Sequence, residues 1–284
     1  MLGKENIMPK IITFATLKGG AGKTMNLFNL AGMVASKGKK VLLIDVDPQC
    51  NLSANCGIDI ADMNFLTVKD IFSKYKASEQ PKASEVIVEH PIDGLDTLDI
   101  IPSSILLFNV EDDLLVLEGR TKILYNFLKR NSEQLKAYDY IFCDTNPSMS
   151  VFNINAFYAA DAIIICTDVS SNSISGAELF CGLWDAKREQ INETSEIRKE
   201  DNIEALLIGN YSKRSKLSKE LLEYVHEADF SKDIVLDTII PATVQLKDTE
   251  VRHMPIHMLV SKKAGNACEA FDDLEEELER KGVL

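Results

Sequence analysis

The segment Leu17-Lys18-Gly19-Gly20-Ala21-Gly22-Lys23-Thr24 leaves few options for the chain around it. An apolar run, Ile11 to Ala15, precedes it, and Met25 to Ser36 follows. In the latter, Leu27, Leu30, Ala31 and Val34 recur at the spacing of one helix face. Strand, glycine-rich turn and helix in that order form the setting in which such a turn binds phosphate. The glycines allow the backbone to curl its N–H groups toward one centre, and the helix N-terminus adds its positive end. In such a loop Lys23 reaches the β- and γ-phosphates of a nucleotide, and the Thr24 hydroxyl sits on Mg²⁺.

The commonest phosphate loop has glycine where this chain has Leu17, and it lacks a second lysine corresponding to Lys18. A lysine beside the turn with no evident structural task is a candidate for the chemistry itself.

Two further carboxylate sites follow strands. Val41 to Asp45 is a continuous apolar run ending in Asp45-Val46-Asp47-Pro48-Gln49, and Tyr138 to Asp144 is another, ending in Asp144-Thr145-Asn146-Pro147-Ser148. Runs of this kind suit strands buried on both faces, and their carboxyl ends are where open α/β sheets bind ligands. Asp-Pro also suits an ordinary turn. Beside a phosphate loop the carboxylates gain a second use, holding the waters of a Mg·nucleotide.

Strand candidates continue at Leu95–Ile101, Asp161–Thr167, Ile203–Gly209 and Ile234–Ile240. Helices are expected at 103–117, 121–135, 153–160, 175–191, after Lys219 as far as Ala228, 242–251 and 266–281, with a short one at 68–75 and a loop at 78–84. The alternation, with no linker-like segment, predicts one domain over 1–284: an α/β, doubly wound, mostly parallel sheet with helices on both faces. Trp184 reads as a packing residue. The last helix carries Asp272, Asp273, Glu275, Glu276, Glu277 and Glu279, the pattern of a solvated face.

No apolar run approaches the ~20 residues that span a bilayer. Six scattered cysteines, without a C-x-x-C pair, favour neither a zinc ribbon nor a disulfide framework and fit a reducing cytoplasm. A net charge of −13 opposes nucleic-acid binding overall, so any such contact needs a local basic patch. One exists: Lys213, Arg214, Lys216 and Lys219 lie within ten residues that hold no acid.

K-G-G-x-G-K-T, then D-x-D-P-Q-x-N, then D-T-x-P-S with N-A-x-x-A-A-D resemble the ParA/Soj partition ATPases, a branch of the ParA/MinD class with a deviant Walker A box. Leu217-Ser218-Lys219-Glu220 and Thr238-Ile239-Ile240-Pro241 extend the likeness over most of the chain. The resemblance implies a Mg²⁺-dependent ATP hydrolase. Lys18, Gly19, Gly20, Ala21, Gly22, Lys23, Thr24 and Met25 would form the nucleotide site, with Lys18 reaching the partner's nucleotide in an ATP-bound homodimer. Asp47 would orient the attacking water, Thr24, Asp45 and Asp144 would organise the Mg²⁺ shell, and Asn210 and Pro241 would border the adenine. It also implies a ParB-type centromere-binding adaptor, nonspecific double-stranded DNA held through Lys213, Arg214, Lys216 and Lys219, no membrane, and a cytoplasmic protein that joins the nucleoid when ATP-bound.

Asn146 departs from the family pattern, standing where a second proline is usual, and the chain is expected to resemble the short form of the family, without a helix-turn-helix domain ahead of the phosphate loop. Three other classes share the loop. A MinD-like membrane-positioning ATPase would want a basic amphipathic C-terminal helix, whereas Phe271 to Arg280 is acidic. An iron-protein-like carrier needs paired cluster cysteines. A ligase of the dethiobiotin-synthetase kind leaves Lys18 and the D-P-Q box without explanation. An adaptor-only switch that does not bind DNA is the remaining alternative.

Overall fold

In the chain's computed structural model, residues 8–61, 64–76, 78–211, 216–259 and 265–284 are described, with the backbone alone at 216, 217 and 265. The apolar runs form seven strands: β1 Lys10–Ala15, β2 Val41–Asp45, β3 Leu98–Ile101, β4 Tyr140–Asp144, β5 Ala162–Asp168, β6 Ile203–Tyr211 and β7 Val235–Pro241. They join one sheet in the order β3-β2-β4-β1-β5-β6-β7, every pair parallel. Side chains alternate between two cores, as the two-residue strand period requires. Ile11, Leu42, Ile44, Ile141 and Ile163 face one, while Ile12, Phe14, Leu43, Phe142 and Ile164 face the other. Helices cover both cores, so the strands carry almost no polar alternation.

The helices of the described residues are α1 Lys23–Ser36, α2 Asn51–Asn55, α3 Val68–Ser73, α4 Ala83–Val86, α5 Phe108–Leu115, α6 Ile123–Arg130, α7 Ser132–Leu135, α8 Val151–Ala159, α9 Ser171–Glu193, α10 Lys216–Glu227, α11 Val244–Arg252 and α12 Gly265–Arg280. Two long helices expected at 103–117 and 121–135 are each broken. A 3₁₀ turn, Ile105–Leu107, precedes α5, and another, Arg120–Lys122, precedes α6. Asn131 ends α6 because its amide works elsewhere: Oδ1 accepts from Ala83 N (2.9 Å) and Nδ2 donates to Phe127 O (2.9 Å). The sheet entry at β3 is shorter than expected, and the expected loop at 78–84 runs into α4.

Trp184 is fully buried, stacks edge-on with Phe157 and donates to Asn202 Oδ1 at 2.9 Å, a packing role as expected. The acidic face of α12 is not simply solvated. Glu277 is 2% exposed and accepts from the backbone N–H groups of Asp237 and Thr238, both at 2.8 Å. Between Val235 and Ile239 the β6–β7 register shifts, and these two donors lie in that unpaired stretch of the edge strand. Glu275 pairs with Lys37 at 2.7 Å, tying α12 to the end of α1. Phe271, Leu274 and Leu278 are fully buried beside them.

Candidate nucleotide site

Strand β1 lies between β4 and β5, with β2 beyond β4, so the carboxyl ends of β1, β2 and β4 bring their loops together. This is the crevice where open parallel sheets take ligands. Gly20 and Gly22 have φ of 83° and 78°, a left-handed backbone that glycine adopts at no steric cost. Thr16 braces the turn, its hydroxyl accepting from Lys18 N (3.2 Å) and donating to Lys18 O (3.3 Å). Gly22 caps α1, whose second residue is Thr24.

Lys23 is buried and forms an ion pair with Asp144, 121 positions away at the end of β4. Thr24 donates its hydroxyl to the other oxygen of the same carboxylate at 2.7 Å. A buried cation, a hydroxyl and a carboxylate thus converge at the turn. The cavity there is about 460 Å³ and is lined by Thr16, Lys18 to Met25, Asp47, Gln49, Asn51, Asn55, Pro147 and Glu250. A Cβ at Gly19 or Gly20 would meet nothing within 4 Å, so the glycine backbone fronts open space.

These residues fit a Mg·nucleotide. The N–H-rich turn and Lys23 suit phosphate, while the Thr24 hydroxyl and Asp144 carboxylate are hard oxygen donors. Among the described residues, no group of three or more His, Cys, Asp or Glu side chains forms a metal site by itself. Mg²⁺ takes few protein ligands and keeps water and phosphate oxygens, which matches such a sparse donor set.

The two carboxylates of the D-x-D box are placed differently. Asp47 lines the cavity, and its Oδ1 accepts from Gln49 N at 2.9 Å. Burial pushes its carboxyl above the ordinary range, against the pull of Lys23. Asp45 is fully buried and is not part of the cavity wall. Burial, then the charge of Asp144 beside it across the β2–β4 ladder, pushes Asp45 up to about 7.

Lys18 is partly exposed, but it is not a free solvated charge. It donates to Ser170 Oγ (2.8 Å) and lies 3.7 Å from Asp168 Oδ2, at the end of β5 and the start of α9. Asn146, the departure from the family pattern, is stitched into the turn by Asn153. The Asn153 amide shares its two hydrogens among Asn146 Oδ1 and O, at 2.8 and 2.7 Å, and Ser148 O at 2.8 Å.

Asn210 and Pro241 stand at the carboxyl ends of β6 and β7, outside the cavity lining. Asn210 has a left-handed φ of 51°, and the adjacent Gly209 is closely packed: a Cβ there would lie 3.0 Å from Asn26 Nδ2 of α1 and 3.6 Å from Ala21 O of the phosphate loop. Of the basic run, Lys213 and Arg214 lie outside the described residues, Lys216 opens α10, and Lys219 is exposed on that helix. Sequence reasoning assigned no role to Gln49, Asn51, Asn55, Pro147 or Glu250. Gln49 and Asn51 belong to the D-P-Q-x-N box and were findable there, whereas Glu250 comes from α11 without any local signal.

A family model described as an AAA domain, AAA_31, matches residues 9–197. The sporulation initiation inhibitor protein Soj of Bacillus subtilis is 30% identical over 276 residues, covering 97% of this chain and 100% of that protein. The chromosome partitioning protein ParA of Caulobacter vibrioides is 29% identical over 260 residues, covering 90% of each chain. Among solved structures, a plasmid partition protein of Borrelia burgdorferi B31 bound to AMPPNP superposes with a TM-score of 0.75. It is 25% identical and covers 96% of this chain and 99% of that one.

Proposed function

The chain belongs to the ParA/Soj family of partition ATPases, and on that premise we propose that it is a Mg²⁺-dependent ATP hydrolase acting as a dimerisation switch in DNA segregation. The observation that carries this reading is the convergence of Lys23 and Thr24 on Asp144 beneath a glycine turn. Bound ATP would meet the turn's N–H groups and draw the Lys23 ammonium to its β- and γ-phosphates. Thr24 and Asp144 would hold Mg²⁺, which neutralises phosphate charge during transfer. Asp47, at the cavity wall, would orient the attacking water for in-line displacement, and Asn210 and Pro241 would border the base.

Lys18 would complete the partner's site in an ATP-bound homodimer. That dimer would bind duplex DNA without sequence preference through Lys213, Arg214, Lys216 and Lys219, and would engage a ParB-type adaptor. The setting is the cytoplasm, with the nucleoid as the scaffold of the ATP state. A MinD-like membrane role has less support, because Phe271, Leu274 and Leu278 of α12 are committed to the core. No described helix is long and apolar enough to cross a membrane.

The test compares ATP hydrolysis, dimer content and DNA retention with ATP, with ADP and without nucleotide. Hydrolysis and retention confined to ATP are expected, and Asp47→Ala should bind ATP while turning over about 100-fold more slowly. A wild-type protein that binds no ATP would overturn the reading. One that hydrolyses ATP yet retains no DNA would leave the adaptor-only switch as the better account.

A further inference from the structure

The hydrogen bonds of Asp45 lead away from the cavity. Its Oδ2 accepts from Ser53 N (2.9 Å) and from Ser53 Oγ (2.7 Å), and its Oδ1 accepts from Asp47 N (3.1 Å). Ser53 is fully buried in the middle of α2, and its hydroxyl in turn accepts from Ser103 N at 2.9 Å, just past β3. One hydroxyl therefore joins three carboxyl-end segments: the end of β2, α2, and the exit of β3.

The loop it fastens is otherwise strained. Cys50, a non-glycine residue at φ 57°, opens α2, and such a backbone persists only where its surroundings over-determine it. Asp47 sits between the two ends of this fastening, its N–H on Asp45 and its C=O accepting from Cys50 N at 2.9 Å. Freeing the loop would let the Asp47 carboxylate drift, while the phosphate turn and Lys23, which share no bond with Ser53, would stay in place.

We propose that Ser53 is a positioning residue for hydrolysis, acting through Asp45 to fix the backbone that carries Asp47, and that Asp45 serves as this buried tie rather than as part of the metal shell. The inference rests on the ATPase reading above. It separates two roles that the D-x-D spacing alone leaves merged, since a metal-shell carboxylate alters Mg²⁺ dependence and a positioning tie alters turnover.

The experiment measures ATP affinity, single-turnover hydrolysis and half-saturating Mg²⁺ for the wild type, Ser53→Ala, Ser53→Thr and Asp45→Asn, with thermal melts to establish folding. Ser53→Ala should keep ATP affinity within about twofold and lower the hydrolysis rate about 10-fold, because a small misplacement of the water-orienting group is costly. Ser53→Thr, which restores the hydroxyl, should recover most of the rate. Asp45→Asn should slow hydrolysis with half-saturating Mg²⁺ unchanged. Ser53→Cys replaces the alanine variant if that protein does not fold, with a loss of several-fold expected. A folded Ser53→Ala or Ser53→Cys protein with the wild-type rate overturns the inference, as does a shift in Mg²⁺ requirement in Asp45→Asn that accounts for its slower rate. Failure of the wild type to hydrolyse ATP sinks the ATPase reading as well, so the two failures are told apart by the control.

Discussion

Lys18 Nζ lies 2.8 Å from Ser170 Oγ, so the extra lysine of the phosphate loop is held by its own chain at the N-cap of α9. Reaching a partner's nucleotide requires it to leave this bond and the neighbouring Asp168 carboxylate. Lys18→Ala should leave ATP binding by the isolated subunit nearly intact while weakening ATP-dependent dimerisation and turnover. Ser170→Ala should act in the opposite direction, raising the dimer fraction by a factor of a few, about fivefold at most for a partly exposed contact. Sedimentation with ATP reads both. Equal dimer content in all three proteins would mean that Lys18 takes no part in association.

Lys23 and Asp144 pose a different balance, because both are buried. Lys23→Ala removes the phosphate partner and also strands a buried carboxylate, which costs on the order of 3 kcal/mol in such settings. The variant should lose ATP binding and melt at a lower temperature without nucleotide. Adding Asp144→Asn should restore much of the stability and none of the binding. Should Lys23→Ala bind ATP as the wild type does, the loop is not a nucleotide site.

Glu277 gives a pH prediction. Burial acts to raise its carboxyl, but the hydrogen bonds from Thr238 and Asp237 prevail and hold it below the ordinary glutamate range. A depressed folded value means that the carboxylate contributes stability above the unfolded value of about 4.5, and that this contribution fades as pH falls through the folded value. Glu277→Gln keeps only one good acceptor for two N–H groups and should lower stability at pH 7 by about 1–3 kcal/mol. Denaturant melts should show the deficit shrinking below pH 4.5. A deficit independent of pH would assign the effect to packing alone.

Glu277 also shows where the sequence stops being legible. The strands, the phosphate turn and the three aspartates at strand ends could be read because each is a local pattern: apolar continuity, glycine spacing, a carboxylate closing a run. The acidity of α12 was misread because the partner of Glu277 is the backbone of β7, and backbone donors leave no mark in the residue pattern. Asn131 broke a helix for a similar reason, its amide being claimed by Ala83, 48 positions earlier. Ser170 and Glu250 were invisible as neighbours of the phosphate loop, since only the closing of the sheet brings their segments to it. Asp45 and Asp47 look equivalent in sequence, and only their hydrogen bonds distinguish a buried tie from a cavity wall.

The final prediction concerns DNA. With a net charge of −13, the chain as a whole repels a phosphate backbone, so binding must come from a local cluster. Lys219 is exposed on α10, and Lys213, Arg214 and Lys216 precede it in an acid-free run. A dimer would present this cluster twice, which explains why a nucleotide that favours dimers should switch binding on. If the dimer neutralises about six phosphates, log K should fall with log[salt] with a slope of roughly −5. Replacing Lys213 and Arg214 with alanine should flatten that slope and weaken binding to all sequences alike, because phosphate contacts carry no base information. ATP hydrolysis without DNA should survive the change, since neither residue belongs to the loop that holds the phosphates. Retention of duplex DNA by the ATP-bound dimer at low salt, titrated against salt for both proteins, tests the whole chain of reasoning. Absence of retention by the wild-type dimer would exclude the nucleoid as its scaffold.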